Sequence, residues 1–186
     1  MEIKAGNIRK GMYVMFKNDP CLVTSTSFMS PGKGSAFMRA KFRSVRTGNT
    51  VEFNYKSTEN LEQLDVSSQQ MQFLYMDGQD VVLMDPRTYD QVSIPVGLLD
   101  GKELLLTAEV TVYVMFYNEL PIGINFPPKV KLAVVEAQDA AAGNTVGQAK
   151  KSVTLETGLV VYAPLFVKTG DTLIIDTETK SYVSRG

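Results

Sequence analysis

An all-β protein built of three consecutive small barrels is predicted from this sequence by three observations. Short apolar runs alternate with period 2, turn-forming residues punctuate them at close intervals, and no stretch keeps the 3.6-residue period of a long helix. The pattern restarts near positions 64 and 127, dividing the 186 residues into 1–64, 65–126 and 127–186. A chain of this length can hold two or three modest domains. About five short strands in each segment suit small closed barrels of the SH3-like or OB kind.

The strands follow in order. "YVMFKNDPCLVTSTSFM" (13–29) reads as two strands about a turn at Asn18-Asp19-Pro20. "SAFMRAKFRSV" (35–45) sets Ala36, Met38, Ala40 and Phe42 on one face and Phe37, Arg39, Lys41 and Arg43 on the other, which is mostly cationic. "TVEFNYK" (50–56) follows the turn Thr47-Gly48-Asn49 and alternates Val51, Phe53 and Tyr55. In the second segment Asp77-Gly78 predicts a hairpin turn and Asp85-Pro86-Arg87 another. "VGLLDGKELLL" (96–106) predicts one short helix, and 108–127 two strands about a turn near Asn118–Pro121. Pro127-Pro128 opens the third unit, which runs through the Gly/Ala-rich loop 139–152 into the final strands. Phe73, Tyr75, Phe116, Tyr117 and Phe126 fall within strand patterns and are expected in cores, as is Cys21.

Composition narrows the chemistry. The chain has no histidine and one cysteine, which excludes Ser-His-Asp triads, Cys-His dyads, imidazole zinc sites, thiolate clusters and an internal disulfide. No cofactor is expected, and no paired-carboxylate motif in the acidic middle segment supports an enzyme. No run approaches the roughly 18–20 apolar residues of a membrane span, and no basic-then-apolar leader opens the chain. A soluble cytoplasmic protein, acting as a monomer without a membrane partner, is the expectation. Net charge is −1, but ten Lys/Arg face five acids in 1–64, two face nine in 65–126, and seven face six in 127–186. The first segment would attract a polyanion and the second repel one.

Ser30-Pro31-Gly32-Lys33-Gly34 would join strands 21–29 and 35–45, leaving Lys33 as the one long side chain at a hairpin tip. Proline fixes its own φ, and glycine accepts φ > 0. Three readings stand side by side: a solvated tip, a phosphate-cradling loop, and a presented amine. The second lacks the GxxxxGK[ST] spacing and a following helix. The third is favoured by Arg39, Lys41 and Arg43 on the next strand, which would seat the tip against phosphates.

These motifs carry a resemblance. "SPGKGSAFMRAKFRSVRTG", "FLYMDGQDVVLMDPRTYDQVSIP", "FYNELPIGINFP" and "VTLETGLVVYAPLFVKTGDTLIIDTETKSYVSR" resemble the bacterial elongation factor P family, essentially from end to end. The resemblance implies a KOW/SH3-like barrel followed by two OB-like barrels, arranged as an L similar to transfer RNA. It implies binding to the ribosome between the peptidyl and exit sites, and promotion of peptide-bond formation at consecutive prolines. Lys33 matches the family's loop lysine, which reaches toward the CCA end of the peptidyl-tRNA and is extended by a lysine-modifying enzyme. Tyr182-Val183-Ser184-Arg185 matches the tail that contacts the tRNA elbow, so Tyr182 and Arg185 are candidate RNA contacts. Gly143-Asn144-Thr145 matches a Gly-Asp-Thr loop placed near the exit-site codon. Asn144 departs from the usual Asp, losing a charge and gaining a donor, and Ser30 stands where relatives often carry a base. A diverged paralogue that binds ribosome or RNA without relieving proline stalls is the alternative function.

Overall fold

A computed structural model describes residues 1–32, 34–137 and 150–186. Among them sixteen strands form three sheets. The first contains β1 (Glu2–Lys4), β2 (Tyr13–Phe16), β3 (Asp19–Met29), β4 (Phe37–Ser44), β5 (Thr50–Lys56) and β6 (Asn60–Gln63), in the order β1-β6-β2-β3-β4-β5. The second contains β7 (Ser67–Asp77), β8 (Asp80–Met84), β9 (Gln91–Pro95), β10 (Thr111–Tyr117) and β11 (Leu120–Asn125), ordered β11-β10-β7-β8-β9. The third contains β12 (Lys129–Ala137), β13 (Lys150–Leu155), β14 (Val160–Pro164), β15 (Thr172–Asp176) and β16 (Ser181–Arg185), ordered β14-β13-β12-β15-β16. The fold is all-β, as the alternation requires.

By compactness the chain divides into two units, Met1–Gln69 with Val114–Gly123, and Gln70–Tyr113 with Ile124–Gly186. In the first unit the inward positions of β2, β3 and β4 build the main core from Val14, Phe16, Val23, Met38, Ala40 and Phe42, joined by Ile8 and Leu61. The outer side of the same strands is partly covered too. Tyr13, Leu64 and Ile122 form a second buried cluster, with Met15, Leu22, Met115 and Tyr117 packed against it. Gly123 is buried there, and a Cβ at that position would collide with the phenol oxygen of Tyr13.

One expectation is corrected here. The first hairpin turns at Lys17 and Asn18, whose φ values of 51° and 63° give the left-handed pair that matches strand twist. Pro20 lies inside β3, opposite Met15. β5 ends its sheet, so Val51 and Phe53 remain 47% and 36% exposed although they face the core side.

Cys21 is buried, and its thiol is pushed up to about 11 by burial first and then by the Asp19 carboxylate, whose Oδ2 lies 3.9 Å from Sγ. At pH 8 the folded protein should therefore react with a thiol reagent on the order of 100-fold more slowly than the unfolded chain. Labelling followed by mass spectrometry with and without denaturant measures that ratio; equal rates would show the site opens freely.

In the second unit Met71, Val81, Leu83, Ile94, Leu99, Leu105 and Val112 are buried, as are Val130, Leu132, Val153, Leu155, Leu173 and Ile175. Residues 96–106 form two short 3-10 turns, Val96–Leu99 and Glu103–Leu105, instead of one helix. Asp100 and Gly101 between them take φ values of 58° and 72°, which no continuous right-handed helix accepts. Lys102, 17% exposed, pairs with Glu178 at 2.7 Å, and Thr157 Oγ1 donates to the Leu104 carbonyl at 2.6 Å. The buried Thr177 donates to the Pro127 carbonyl at 2.7 Å. Phe116, in β10 of the first unit, is buried as expected, whereas Tyr75 is 51% exposed and Phe73, Tyr117 and Phe126 are only half-buried.

The expected turn at Asp85 is built around its buried carboxylate. Asp85 Oδ1 accepts the Arg87 amide at 2.8 Å, and Tyr89 closes the turn with φ 63°. The Arg87 amide, followed by the Thr88 amide and the Arg87 charge, holds this carboxyl below its usual range against the opposing effect of burial. A carboxylate with a depressed folded pKa stabilises above its unfolded pKa near ~3.9 and loses that contribution as pH falls through the folded value. Asp85→Asn should therefore lower the unfolding midpoint at pH 7 and narrow its gap from wild type toward pH 3, as acid-to-neutral thermal melts would register.

Candidate functional site

β3 and β4 pair from Cys21 opposite Ser44 to Met29 opposite Phe37, with one irregularity between Val23 and Ser25. At the far end of this hairpin Phe28 and Met29 are 56% and 41% exposed, while Met38, opposite Phe28, stays buried in the core. The hairpin connection is anchored at one side where the Ala36 carbonyl accepts the Ser57 amide at 2.9 Å. Ser30, Pro31, Gly32, Gly34 and Ser35 are all exposed. Gly34 has φ +121°, a conformation L side chains rarely adopt, while an added Cβ would meet nothing closer than Pro31 Cγ at 3.8 Å. Conformation, not space, requires glycine at 34. Gly32 has neither constraint. Lys33 itself lies outside the described residues.

The cationic face of β4 forms as the alternation predicts, but its members differ. Arg39 and Lys41 are exposed, whereas Arg43 is half-buried. Arg43 pairs with Leu22, which in turn pairs with Tyr13, so Arg43 borders the second buried cluster. Burial raises the Tyr13 phenol pKa, and the Arg43 charge partly opposes that rise. Arg43 is thus tied to packing, while Arg39 and Lys41 face solvent.

The neighbouring strands give this face its character. Opposite Arg39 stand Ser27 on β3 and Asn54 on β5; opposite Lys41 stand Ser25 and Glu52. Arg39 Nε donates to Asn54 Oδ1 at 3.4 Å and lies 3.6 Å from Glu52 Oε1. Lys41 Nζ lies 3.9 Å from Glu52 Oε2. Glu52 and Asn54 were not expected as part of the site. The signal was present: "TVEFNYK" puts both on the side opposite Val51 and Phe53, and the turn at 47–49 brings that side beside Arg39 and Lys41.

In the second unit Tyr182 is half-buried on β16 opposite Ile175, and Arg185 is exposed opposite Leu173. Their strand follows a turn organised by Asp176, whose Oδ1 accepts the Glu178 and Thr179 amides at 3.0 and 2.8 Å. Those bonds, Thr179's first, keep the Asp176 carboxyl below its ordinary range. Gly143, Asn144 and Thr145 lie outside the described residues. Among the described residues no group of three or more His, Cys, Asp and Glu is placed to hold a metal, and no helix is long and apolar enough to cross a membrane.

Three family models match successive stretches of the chain, and together they define its class as a translation elongation factor built from KOW-like and OB domains. The elongation factor P KOW-like domain matches residues 4–61, the elongation factor P OB domain residues 66–124, and the elongation factor P C-terminal domain residues 130–185. Elongation factor P of Leptospira biflexa serovar Patoc is 37% identical over 185 residues, covering 100% of this chain and 98% of its own. That of Desulfovibrio desulfuricans is 37% identical over 179 residues, covering 96% of this chain and 97% of its own. The chain belongs to the elongation factor P family. A solved structure, eukaryotic translation initiation factor 5A from Methanococcus jannaschii, shares the fold with a TM-score of 0.51 at 24% identity, over 68% of this chain and 92% of that one.

Proposed function

We propose that this elongation factor binds the ribosome between the peptidyl and exit sites and speeds peptide-bond formation at consecutive prolines. Its working parts are the segments 1–64, 65–126 and 127–186. The observation that carries this reading is the exposed, glycine-shaped connection between β3 and β4, in whose sequence Lys33 stands, in a chain matched along its length by one family of translation factors. Lys33, extended by a lysine-modifying enzyme, reaches toward the CCA end of the peptidyl-tRNA. Arg39 and Lys41 hold RNA phosphates beside it, and Arg43 supports them from the packed side. Tyr182 and Arg185 meet the tRNA elbow, and Gly143, Asn144 and Thr145 approach the exit-site codon.

Such a role needs no acid, base or metal from the factor, because the ribosome supplies the reacting centre. The factor restricts a badly oriented substrate. Holding reactants in a productive geometry can remove up to about 7–11 kcal/mol of barrier in the best cases. Small barrels are rigid platforms for that purpose. A strain lacking the factor should pause at consecutive prolines, and supplying this chain should remove those pauses. Ribosome profiling reads the result directly. Persistent pausing with the chain expressed and ribosome-bound would favour the diverged-paralogue function.

A further inference from the structure

Glu52 has no part in the role just proposed, yet it stands against the basic face, on the strand that flanks it. β5 is the last strand of its sheet, so this carboxylate, 47% exposed, is open to solvent. It lies directly across from Lys41 and diagonally from Arg39, 3.9 Å from the ammonium and 3.6 Å from the guanidinium. On the opposite flank Ser25 and Ser27 are small and exposed, leaving the β3 side of both cations uncovered. A phosphate arriving from that side meets the same two donors that Glu52 already engages.

We infer that Glu52 is an internal competitor for phosphate, a fixed carboxylate that weakens the grip of Arg39 and Lys41 on RNA and keeps it reversible. The inference rests on the reading of this face as an RNA contact. Affinity for nucleic acid comes largely from releasing counterions condensed on it, with a log–log salt slope of about −0.9 per phosphate neutralised on duplex. Cations already shared with a carboxylate neutralise less of the incoming charge, and the carboxylate repels the phosphate it competes with. A factor that must leave after each rescued bond gains from such a limit.

Glu52→Gln removes the charge and keeps the shape. Exposed ion pairs contribute little to folding, so the variant should melt with wild type. Binding of the full chain to ribosomes carrying a peptidyl-site tRNA, titrated between low and moderate salt, supplies the test. Glu52→Gln should bind roughly three- to ten-fold more tightly at low salt with a salt slope steeper by about one. In an Arg39→Ala/Lys41→Ala background the same change should have no effect, because the competitor has nothing left to compete for. Weaker binding by the double variant together with unchanged or weakened binding by Glu52→Gln overturns the inference while the phosphate-contact reading stands. A double variant that binds like wild type, or a wild type that does not bind, overturns both.

Discussion

Phe42→Ala is expected to destabilise the first unit by about 3–5 kcal/mol, the range for emptying a fully buried aromatic site. Phe42 is 1% exposed on β4, between β3 and β5. Its ring stacks on Phe16 with centroids 4.8 Å apart and planes 6° from parallel, and it meets Tyr55 edge-on at 6.0 Å. Aromatic pairs of this kind add about 0.5–1.5 kcal/mol beyond area burial, so truncation removes packing and pairing together. Phe53 is the internal control. It also touches Phe16 and Tyr55, at 5.5 and 4.7 Å, but lies on the edge strand with a third of its surface exposed. Phe53→Ala should cost less than half as much. Urea unfolding followed by tyrosine emission compares the two; similar losses would mean that β5 is clamped in solution and that its edge position does not lower the value of its side chains.

The contrast between β4 and β5 also marks what can be read from the chain. Alternation in "AFMRAKF" identifies the face of every residue, and Met38, Ala40 and Phe42 are buried as it requires. Alternation in "TVEFNYK" identifies faces equally well but not depth, because depth depends on whether another strand covers the edge. Pro20 misled for a related reason: proline marks turns, yet it is also tolerated near the start of a strand, and Lys17-Asn18 took the turn. Between Val96 and Leu105, apolar spacing suggested a helix, while Asp100-Gly101 broke it into two 3-10 turns. For the candidate site, the hairpin that carries Lys33 and the outward direction of Arg39 and Lys41 were legible from turn residues and period. The face of Glu52 was legible from the same alternation, but its pairing directly opposite Lys41 was not, since that depends on the register. The half-burial of Arg43 was hidden too, because it depends on a cluster that includes Ile122, far along the chain.

Lys33→Ala should reduce synthesis through consecutive prolines to the level seen without the factor, at least ten-fold below wild type, which corresponds to about 1.4 kcal/mol or more of lost barrier reduction. Translation of templates without proline runs should not change, because there the reactants are already well placed and restraint adds nothing. Stability should not change either: the residues flanking position 33 are exposed, and the nearest strand pair ends at Met29 and Phe37. Lys33→Arg separates the two ways a lysine can act. It keeps the positive charge but removes the primary amine that an enzyme can extend, so activity near the alanine level assigns the effect to reach, and activity near wild type assigns it to charge. Gly34→Ala tests the scaffold independently. With φ at +121° the added Cβ strains the loop even though space is available, so the hairpin tip should shift or loosen while the barrel below stays intact. Partial loss of polyproline synthesis with an unchanged melting temperature is the expected result. Should Lys33→Ala and wild type rescue equally, the tip would be a solvated turn, and the factor would act through Arg39, Lys41 and the β16 tail alone.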